Sequence, residues 1–256
     1  MLQLGKFQIL YEMSGGNLSR SDKKVVWITG TSSGIGMAIA KVFAEAGNIV
    51  ICSARRKGEL DKLVKSIGKN GGEAYSQKCD ISKYSEVKKV VKFIFSKFGK
   101  IDALINSAGV TEFKLFTESN EKDYDYIMDV NLKGVFLCIK EVLPSMLKNK
   151  GGQIINILSV AAVTTFQYSS LYAASKAGLK AMSESLRAEV RKDNIKVINI
   201  MPGATDTDMW DKDFRDKNRK RMMNAEDIGR LTLDVFNQPK SLVTEDVVVR
   251  PIKGDV

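Results

Sequence analysis

The sequence has no histidine in its 256 residues. Histidine is the side chain that ordinarily changes charge near neutral pH, so its absence removes Ser-His-Asp and Cys-His catalysis and the commonest metal ligand together. Any proton transfer falls to Tyr, Lys, Asp or Glu. Cysteine is nearly as scarce. Cys52, Cys79 and Cys138 are an odd number without metal-ligand spacing, which argues against a disulfide framework and against a bound metal. No apolar run approaches the roughly 20 residues of a membrane span. The opening residues lack the basic region, apolar block and small-residue cleavage site of a secretory signal. A cytoplasmic protein without membrane contact is expected. No Pro/Gly/Ser linker, internal repeat or low-complexity block divides the chain, and 44% hydrophobic content suits one globular domain with a sizeable core.

Acidic residues are outnumbered, 30 against 40 basic ones, for a formal charge of +10. Such an excess fits either a polyanionic partner or a solvated basic surface. The sequence has no aromatic-interleaved basic motif or basic arm, and the basic stretch Asp211 to Arg221, DKDFRDKNRKR, mixes both signs. A nucleic-acid partner is not expected.

What is present is an alternation. Short apolar runs at Val25 to Thr29, Asn48 to Ser53, Glu73 to Lys78, Ala103 to Asn106, Gln153 to Leu158, Ile195 to Met201 and Val247 to Arg250 read as strands. Between them, helical periodicity marks Ile35 to Ala46, Glu59 to Lys69, Ser82 to Phe98, Asp123 to Lys148, Leu171 to Lys192 and Ala225 to Phe236. Nearly continuous apolar strands such as VVWIT suit parallel strands covered on both faces. The expected fold is α/β, a doubly wound Rossmann-type parallel sheet of about seven strands in a single domain over 23–256. Residues 1–22 are expected to form a flexible extension, with Met13 as an alternative start. The irregular stretch 203–224 follows a strand end, where such sheets place their ligand crevice, and reads as a lid.

After the first strand comes TGTSSGIG, Thr29 to Gly36. Glycines at 30, 34 and 36 let the chain turn tightly, approach a pyrophosphate and launch a helix whose N-terminal amides face the phosphates. A sterically required strand-to-helix turn is the bland alternative. Where an NAD-preferring fold places Asp or Glu at the end of the second strand, this chain has Ala54 followed by Arg55 and Arg56. A guanidinium matches the 2′-phosphate of NADP, so NADP(H) is expected in preference to NAD(H). The alternative is that both arginines simply begin a solvated helix.

One further pattern is the pair in YAASK, Tyr172 and Lys176, four residues apart and so on one helix face. YSEVK, Tyr84 to Lys88, repeats the spacing. Together with the glycine loop and the strand-helix order, the first pair makes the sequence from about Lys24 onward resemble the short-chain dehydrogenase/reductase family. TGTSSGIG resembles that family's TGxxxGIG. CDI carries an acidic residue after the third strand, NSAG resembles its NNAG with Ser107 for the second Asn, VNLKGVF carries a helix asparagine, and PGATDT carries its Pro-Gly turn. Ser159 stands thirteen residues before Tyr172, as the family's serine does; the corresponding position before Tyr84 is Gly71.

The resemblance implies a catalytic set of Asn131, Ser159, Tyr172 and Lys176. Cofactor contacts are implied for Gly30, Ser32, Ser33, Gly34, Ile35, Gly36, Arg55, Arg56, Asp80, Ile81, Asn106, Ala108, Gly109, Tyr172, Lys176, Pro202, Gly203, Thr205 and Thr207. Tyr172 is implied as general acid in carbonyl reduction and base in alcohol oxidation, its pKa lowered by the neighbouring ammonium and by oxidised nicotinamide. Ser159 is implied to hold the substrate oxygen, Lys176 to bond the nicotinamide ribose, and Asn131 to fix a water beside Lys176. Individually, Ser159 also reads as a strand-end hydroxyl bonding its own backbone and Asn131 as a polar residue satisfied locally.

The leading expectation is an NADPH-dependent reductase of a ketone or 3-oxoacyl group. An NADP-dependent alcohol dehydrogenase and a catalytically silent nicotinamide-binding regulator are the alternatives. Expected partners are a small-molecule carbonyl, alcohol or acyl thioester and further copies of the chain, as a homodimer or homotetramer through the helices near 123–148 and 171–192. The basic residues of the lid either steer an anionic carrier or only solubilise the loop, and Met209, Trp210 and Phe214 point to a pocket that admits hydrophobic bulk.

Overall fold

The apolar runs fold into one parallel sheet. The computed structural model describes residues 23–255, and the expected extension 1–22, Met13 included, lies outside them. Among the described residues the strands are β1 Val25–Thr29, β2 Ile49–Ala54, β3 Glu73–Lys78, β4 Ala103–Asn106, β5 Gly152–Ile157, β6 Ile195–Pro202 and β7 Asp246–Val249. Their order is β3-β2-β1-β4-β5-β6-β7 with every pairing parallel. The α-helices are α1 Gly34–Glu45, α2 Lys57–Lys69, α3 Tyr84–Phe98, α4 Glu121–Met128, α5 Val135–Asn149, α6 Ser170–Val190, α7 Lys212–Asn218 and α8 Ala225–Phe236.

The strand period of two explains why the runs are apolar throughout. Val25, Trp27, Ile51, Leu104 and Ile154 join one core layer with α3, α5 and α6, while Val26, Ile28, Val50, Ile105 and Ile155 join the other with α1, α2 and α8. All three cysteines are free and buried, and burial pushes the thiols of Cys52 and Cys79 up to about 12. Among the described residues no helix is long and apolar enough to cross a membrane.

Two features set up the site. The strand order reverses between β1 and β4, which opens a crevice beyond their carboxyl ends. In register across four strands, Asn106, Asn156, Asn199 and Asp246 form a polar ladder: Asn106 Nδ2 donates to Asn156 Oδ1 at 2.8 Å and Asn199 Nδ2 to Asp246 Oδ1 at 2.8 Å. Asn156 also donates to Ser183 of α6 at 2.9 Å, which ties that helix to the sheet.

The helical stretch expected over Asp123 to Lys148 is not continuous. A π-helical segment, Asp129–Gly134, separates α4 from α5. At its centre the Asn131 side chain is drawn out to the backbone of Val110. Gly134 packs so tightly on Ile81 that a Cβ there would stand 2.7 Å from Ile81 Cγ1. Tertiary bonding has overridden the α-helical period, as it commonly does where π segments meet functional sites.

Candidate active site

Loops following β1 to β6 surround one cleft of about 750 Å³. Its floor begins at the glycine loop. Gly30 has φ +75°, and a Cβ on it would lie 2.6 Å from Ala108 Cα, so the β1 and β4 loops meet backbone to backbone. Thr29 Oγ1 accepts from the amides of Ser107 and Ala108 at 3.1 and 3.2 Å and holds that closure. The turn tightens again at Gly36, where a Cβ would lie 2.5 Å from Gly30 O. Ser32, Ser33 and Ile35 complete the lining, and α1 starts at Gly34 with its free amides at the cleft. A backbone cradle at a helix N-terminus, with no carboxylate at the end of β2, fits the pyrophosphate of a nicotinamide dinucleotide.

At the end of β2, Arg56 folds over the glycine loop. Its Nε and Nη2 donate to Ser32 Oγ at 3.2 and 3.0 Å, and Nη2 to Ser33 Oγ at 2.8 Å. Arg55 points to Tyr126 Oη at 3.5 Å. Both arginines line the cleft beside Ala54. Asp80, one strand further, accepts from Ser82 N and Oγ through Oδ1, and Ile81 lines the floor next to it.

The other end of the cleft holds the expected acid-base pair. Tyr172 and Lys176, successive on one face of α6, are 8% and 4% exposed. Lys176 Nζ donates to Ile157 O at 3.1 Å and lies 5.7 Å from the Tyr172 ring centroid. Burial lowers the Lys176 pKa to about 8. Burial also raises that of Tyr172, with the Ser159 hydroxyl acting the opposite way. In the protein alone desolvation thus outweighs the lowering expected for Tyr172. Ser159 Oγ accepts from Ala161 N at 3.1 Å, so it does bond its own backbone, but as an acceptor, while its hydroxyl bonds the Tyr172 phenol and acts to lower its pKa.

Asn131 is satisfied by distant partners. Its Oδ1 accepts from Val110 N at 2.8 Å, and its Nδ2 donates to Val110 O at 2.8 Å and to Ser175 Oγ at 3.0 Å. Ser175 in turn donates to Tyr172 O at 2.7 Å, so Asn131 fastens the β4 loop to the turn of α6 that bears Tyr172. Asn131 Oδ1 and Lys176 Nζ both flank Gly109, 3.4 and 3.5 Å from where a Cβ on it would stand.

Residues 203–224 form a cover built on α7. Thr205 pairs with Met223 at its base. The half-buried Asp206 accepts from Arg215 Nε and from Arg219 Nε, the latter at 2.6 Å, and these arginines hold its carboxyl below the usual range. Thr207 packs over Gly34, its Cγ2 3.1 Å from where a Cβ would begin. Trp210 donates to Thr205 O at 3.0 Å and stacks on Phe113 and Phe214.

Of the residues expected from sequence, the cleft gathers all but two. Asn131 stands behind the lining in the hydrogen bonds just described. Asn106, expected among the cofactor contacts, turns into the sheet to Asn156, because parallel register places the two amides side by side; the loop it opens, from Ser107 to Val110, lines the cleft instead. The other pair, Tyr84 and Lys88, lies outside the cleft, with Tyr84 Oη bonded to Glu141 and Lys88 over its ring at 5.3 Å. Sequence reasoning missed Phe113, Tyr168 and Ser175. A Phe set between the charged Glu112 and Lys114 was a usable signal for the first. Tyr168 sits at φ +64°, a conformation no residue pattern announced, and its carbonyl accepts from Lys114 N at 2.9 Å.

Comparison with known proteins agrees with this geometry. The family described as short chain dehydrogenase matches residues 24–218. The sepiapterin reductase of Chlorobaculum tepidum is 34% identical over 241 residues, covering 91% of this chain and 98% of that protein. The 3-oxoacyl-[acyl-carrier-protein] reductase FabG of Thermotoga maritima is 36% identical over 223 residues, covering 87% and 88%. Among solved structures, the L-sorbose reductase of Gluconobacter frateurii, complexed with NADPH and L-sorbose, superposes with a TM-score of 0.84 at 27% identity, covering 90% of this chain and 95% of that one.

Proposed function

The chain belongs to the short-chain dehydrogenase family and is an NAD(P)-dependent oxidoreductase, and from that premise we propose that it reduces a ketone or 3-oxoacyl carbonyl to a hydroxyl with NADPH. The observation that carries the reading is the buried Tyr172, which shares the cleft with Lys176 and with the Ser159 hydroxyl that bonds it. The glycine loop from Gly30 to Gly36 would hold the pyrophosphate, Arg55 and Arg56 the 2′-phosphate, and Asp80 and Ile81 the adenine. Ala108, Gly109 and Lys176 would face the nicotinamide ribose, and Pro202, Gly203, Thr205 and Thr207 the nicotinamide. When bound, the reduced cofactor supplies the hydride that goes to the carbonyl carbon.

Ser159 donates its hydroxyl proton to the substrate oxygen and fixes it beside Tyr172. Tyr172 then gives its phenolic proton to that oxygen as negative charge develops on it, which completes the alcohol. The resulting phenolate is reprotonated with Lys176 as the adjacent proton source, a role its pKa of about 8 suits at neutral pH. Asn131 is a positioning residue, since it sets Val110 and the Tyr172 turn through Ser175. The alcohol dehydrogenase reading uses the same groups in reverse. That Asn131, Ser159, Tyr172 and Lys176 are all present and mutually placed weighs against a catalytically silent regulator. The preference for NADPH is supported by Arg56 lying over Ser32 and Ser33. Pairing of copies through α4, α5 and α6 is supported by the exposed Tyr124, Phe136 and Leu147.

The test is NADPH consumption with a panel of ketones and a 3-oxoacyl thioester, run beside NADH and the Tyr172→Phe protein. Turnover that needs NADPH and is lost in Tyr172→Phe, with cofactor binding retained, is the expected result. Turnover retained in Tyr172→Phe overturns the assignment of the proton donor.

A further inference from the structure

The substrate end of the cleft has an aromatic wall, and no Lys or Arg of its cover lines it. Phe113 is 47% exposed, lines the cleft, and presents its ring at 6.4 Å from the Tyr172 ring, edge to face. Trp210 stacks almost parallel to it, with centroids 5.4 Å apart and an interplanar angle of 9°, and Phe214 stacks on Trp210 at 5.0 Å. The indole N–H is already bonded to Thr205 O, so the wall offers π surface and no donor. A half-exposed ring of this size inside a cleft is surface that a bound molecule covers. Leu158, Val160 and Met209 continue the apolar lining.

Charge points the same way. The lid residues that line the cleft include Asp208 and Asp211, and Asp255 lines it from the C-terminal side, whereas no Lys or Arg of the lid does. Arg215 and Arg219 are turned to Asp206, and Arg221 Nη2 donates to Asp255 O at 3.1 Å. Lys212, Lys217 and Lys220 are exposed and away from the lining. The lid's basic surplus is therefore paired or faces elsewhere, and Asp208 and Asp255 are themselves paired with Arg215 and Arg250, so a phosphate-bearing carrier entering over the lid would find no Lys or Arg of the lid on the cleft lining to hold it.

We propose that the substrate is an uncharged carbonyl compound whose planar, aromatic body lies on the Phe113–Trp210 wall, with its carbonyl adjacent to that ring system so that it reaches Tyr172 and Ser159. Acyl thioesters on anionic carriers are disfavoured. The proposal rests on the reductase reading and narrows its substrate class.

The test uses the full-length protein with NADPH and three probes: 1-phenyl-1,2-propanedione, 2,3-butanedione and acetoacetyl-CoA. The expected kcat/KM is highest for the aryl diketone and lowest for the thioester. Phe113→Ala and Trp210→Ala lower the value for the aryl diketone about tenfold more than that for butanedione, the scale of a lost aromatic contact and its buried area. A second readout is independent of turnover. The chain has two tryptophans, and Trp27 is fully buried, so quenching of emission by the aryl diketone in the parent but not in Trp210→Phe reports contact with the wall. A thioester preferred over the aryl diketone, or wall variants that depress all probes equally, overturns the proposal while leaving the reductase reading intact. Absence of turnover with every probe counts against the reductase reading, and quenching then decides the wall: its loss in Trp210→Phe supports the proposal, and no quenching in the parent overturns it.

Discussion

Lys176 Nζ donates to the backbone carbonyl of Ile157 at 3.1 Å and stands 5.7 Å from the Tyr172 ring centroid. A residue named for its charge is thus held by one neutral acceptor in a buried site, and desolvation by that burial lowers its pKa to about 8. The ammonium is easily discharged there, which suits a proton donor and costs stability.

That cost has a definite pH signature. Between the folded value of about 8 and the ordinary 10.5, the unfolded chain holds a proton that the folded chain does not, so stability rises with pH across this window. Below it the penalty is fully present, roughly 3 kcal/mol from the size of the shift. The Tyr172 pKa, raised by burial, acts oppositely only above its ordinary value of 10. The thermal midpoint of the cofactor-free protein is expected to climb from pH 8 towards pH 10, and Lys176→Met to lose that climb. An unchanged slope in the variant would place the titrating group elsewhere.

Tyr172 gives a second pH dependence, this time in rate. Reduction needs the phenol and oxidation the phenolate, and burial keeps the phenol protonated beyond its usual range. Alcohol oxidation is expected to accelerate as pH rises from about 7 to 9, while carbonyl reduction stays level or declines. Steady-state rates in both directions across that range check this; oxidation slowing with rising pH would exclude Tyr172 as the base.

How far these features were legible in the sequence depended on whether their causes were local. The glycine loop, the strand runs and the Tyr172–Lys176 pair each carry a short-range pattern: a forced turn, an apolar run, a helical spacing. The π segment around Asn131 has no such pattern, because apolar Ile127, Val130 and Val135 continue through it and only the bond to Val110 reveals it. Phe113 and Trp210 lie in separate loops, and nothing in either loop names the other. The arginines of the lid read as solvated charge until Asp206 is seen between Arg215 and Arg219. Asn106 shows the opposite limit: its motif was recognised, yet the side chain serves the sheet.

Arg56 tests the cofactor preference. It is anchored by Ser32 and Ser33 over the glycine loop, where on the proposed reading a guanidinium would meet a 2′-phosphate with charge-assisted hydrogen bonds. Such bonds contribute about 1.5–3 kcal/mol, so Arg56→Ala should weaken NADPH binding by about ten- to a hundredfold. NADH binding should move by less than about threefold, since it has no phosphate there. Titration of both cofactors by nicotinamide fluorescence checks this; equal losses for the two would assign Arg56 to the shape of the loop.

Asp206 tests whether the lid is held by its ion pairs. The carboxylate accepts from Arg215 of α7 and from Arg219 at its C-cap, one helical turn apart, and Arg215 also reaches Asp208. Replacing Asp206 by Asn keeps the volume and removes the charge, so both guanidinium groups lose their shared anchor and the stretch 212–221 opens more often. Because the same stretch carries Phe214, which stacks on Trp210, substrate binding should suffer more than the chemical step. The expected result for Asp206→Asn is KM raised about three- to tenfold with kcat changed by less than about twofold, the pattern of lost uniform binding. Tryptic cleavage at Lys212, Lys217 and Lys220 should accelerate in parallel, as a more populated open state requires. If cleavage accelerates without a change in KM, the lid opens freely but does not contribute to holding substrate; if neither changes, the Trp210 stack holds the lid without the ion pairs.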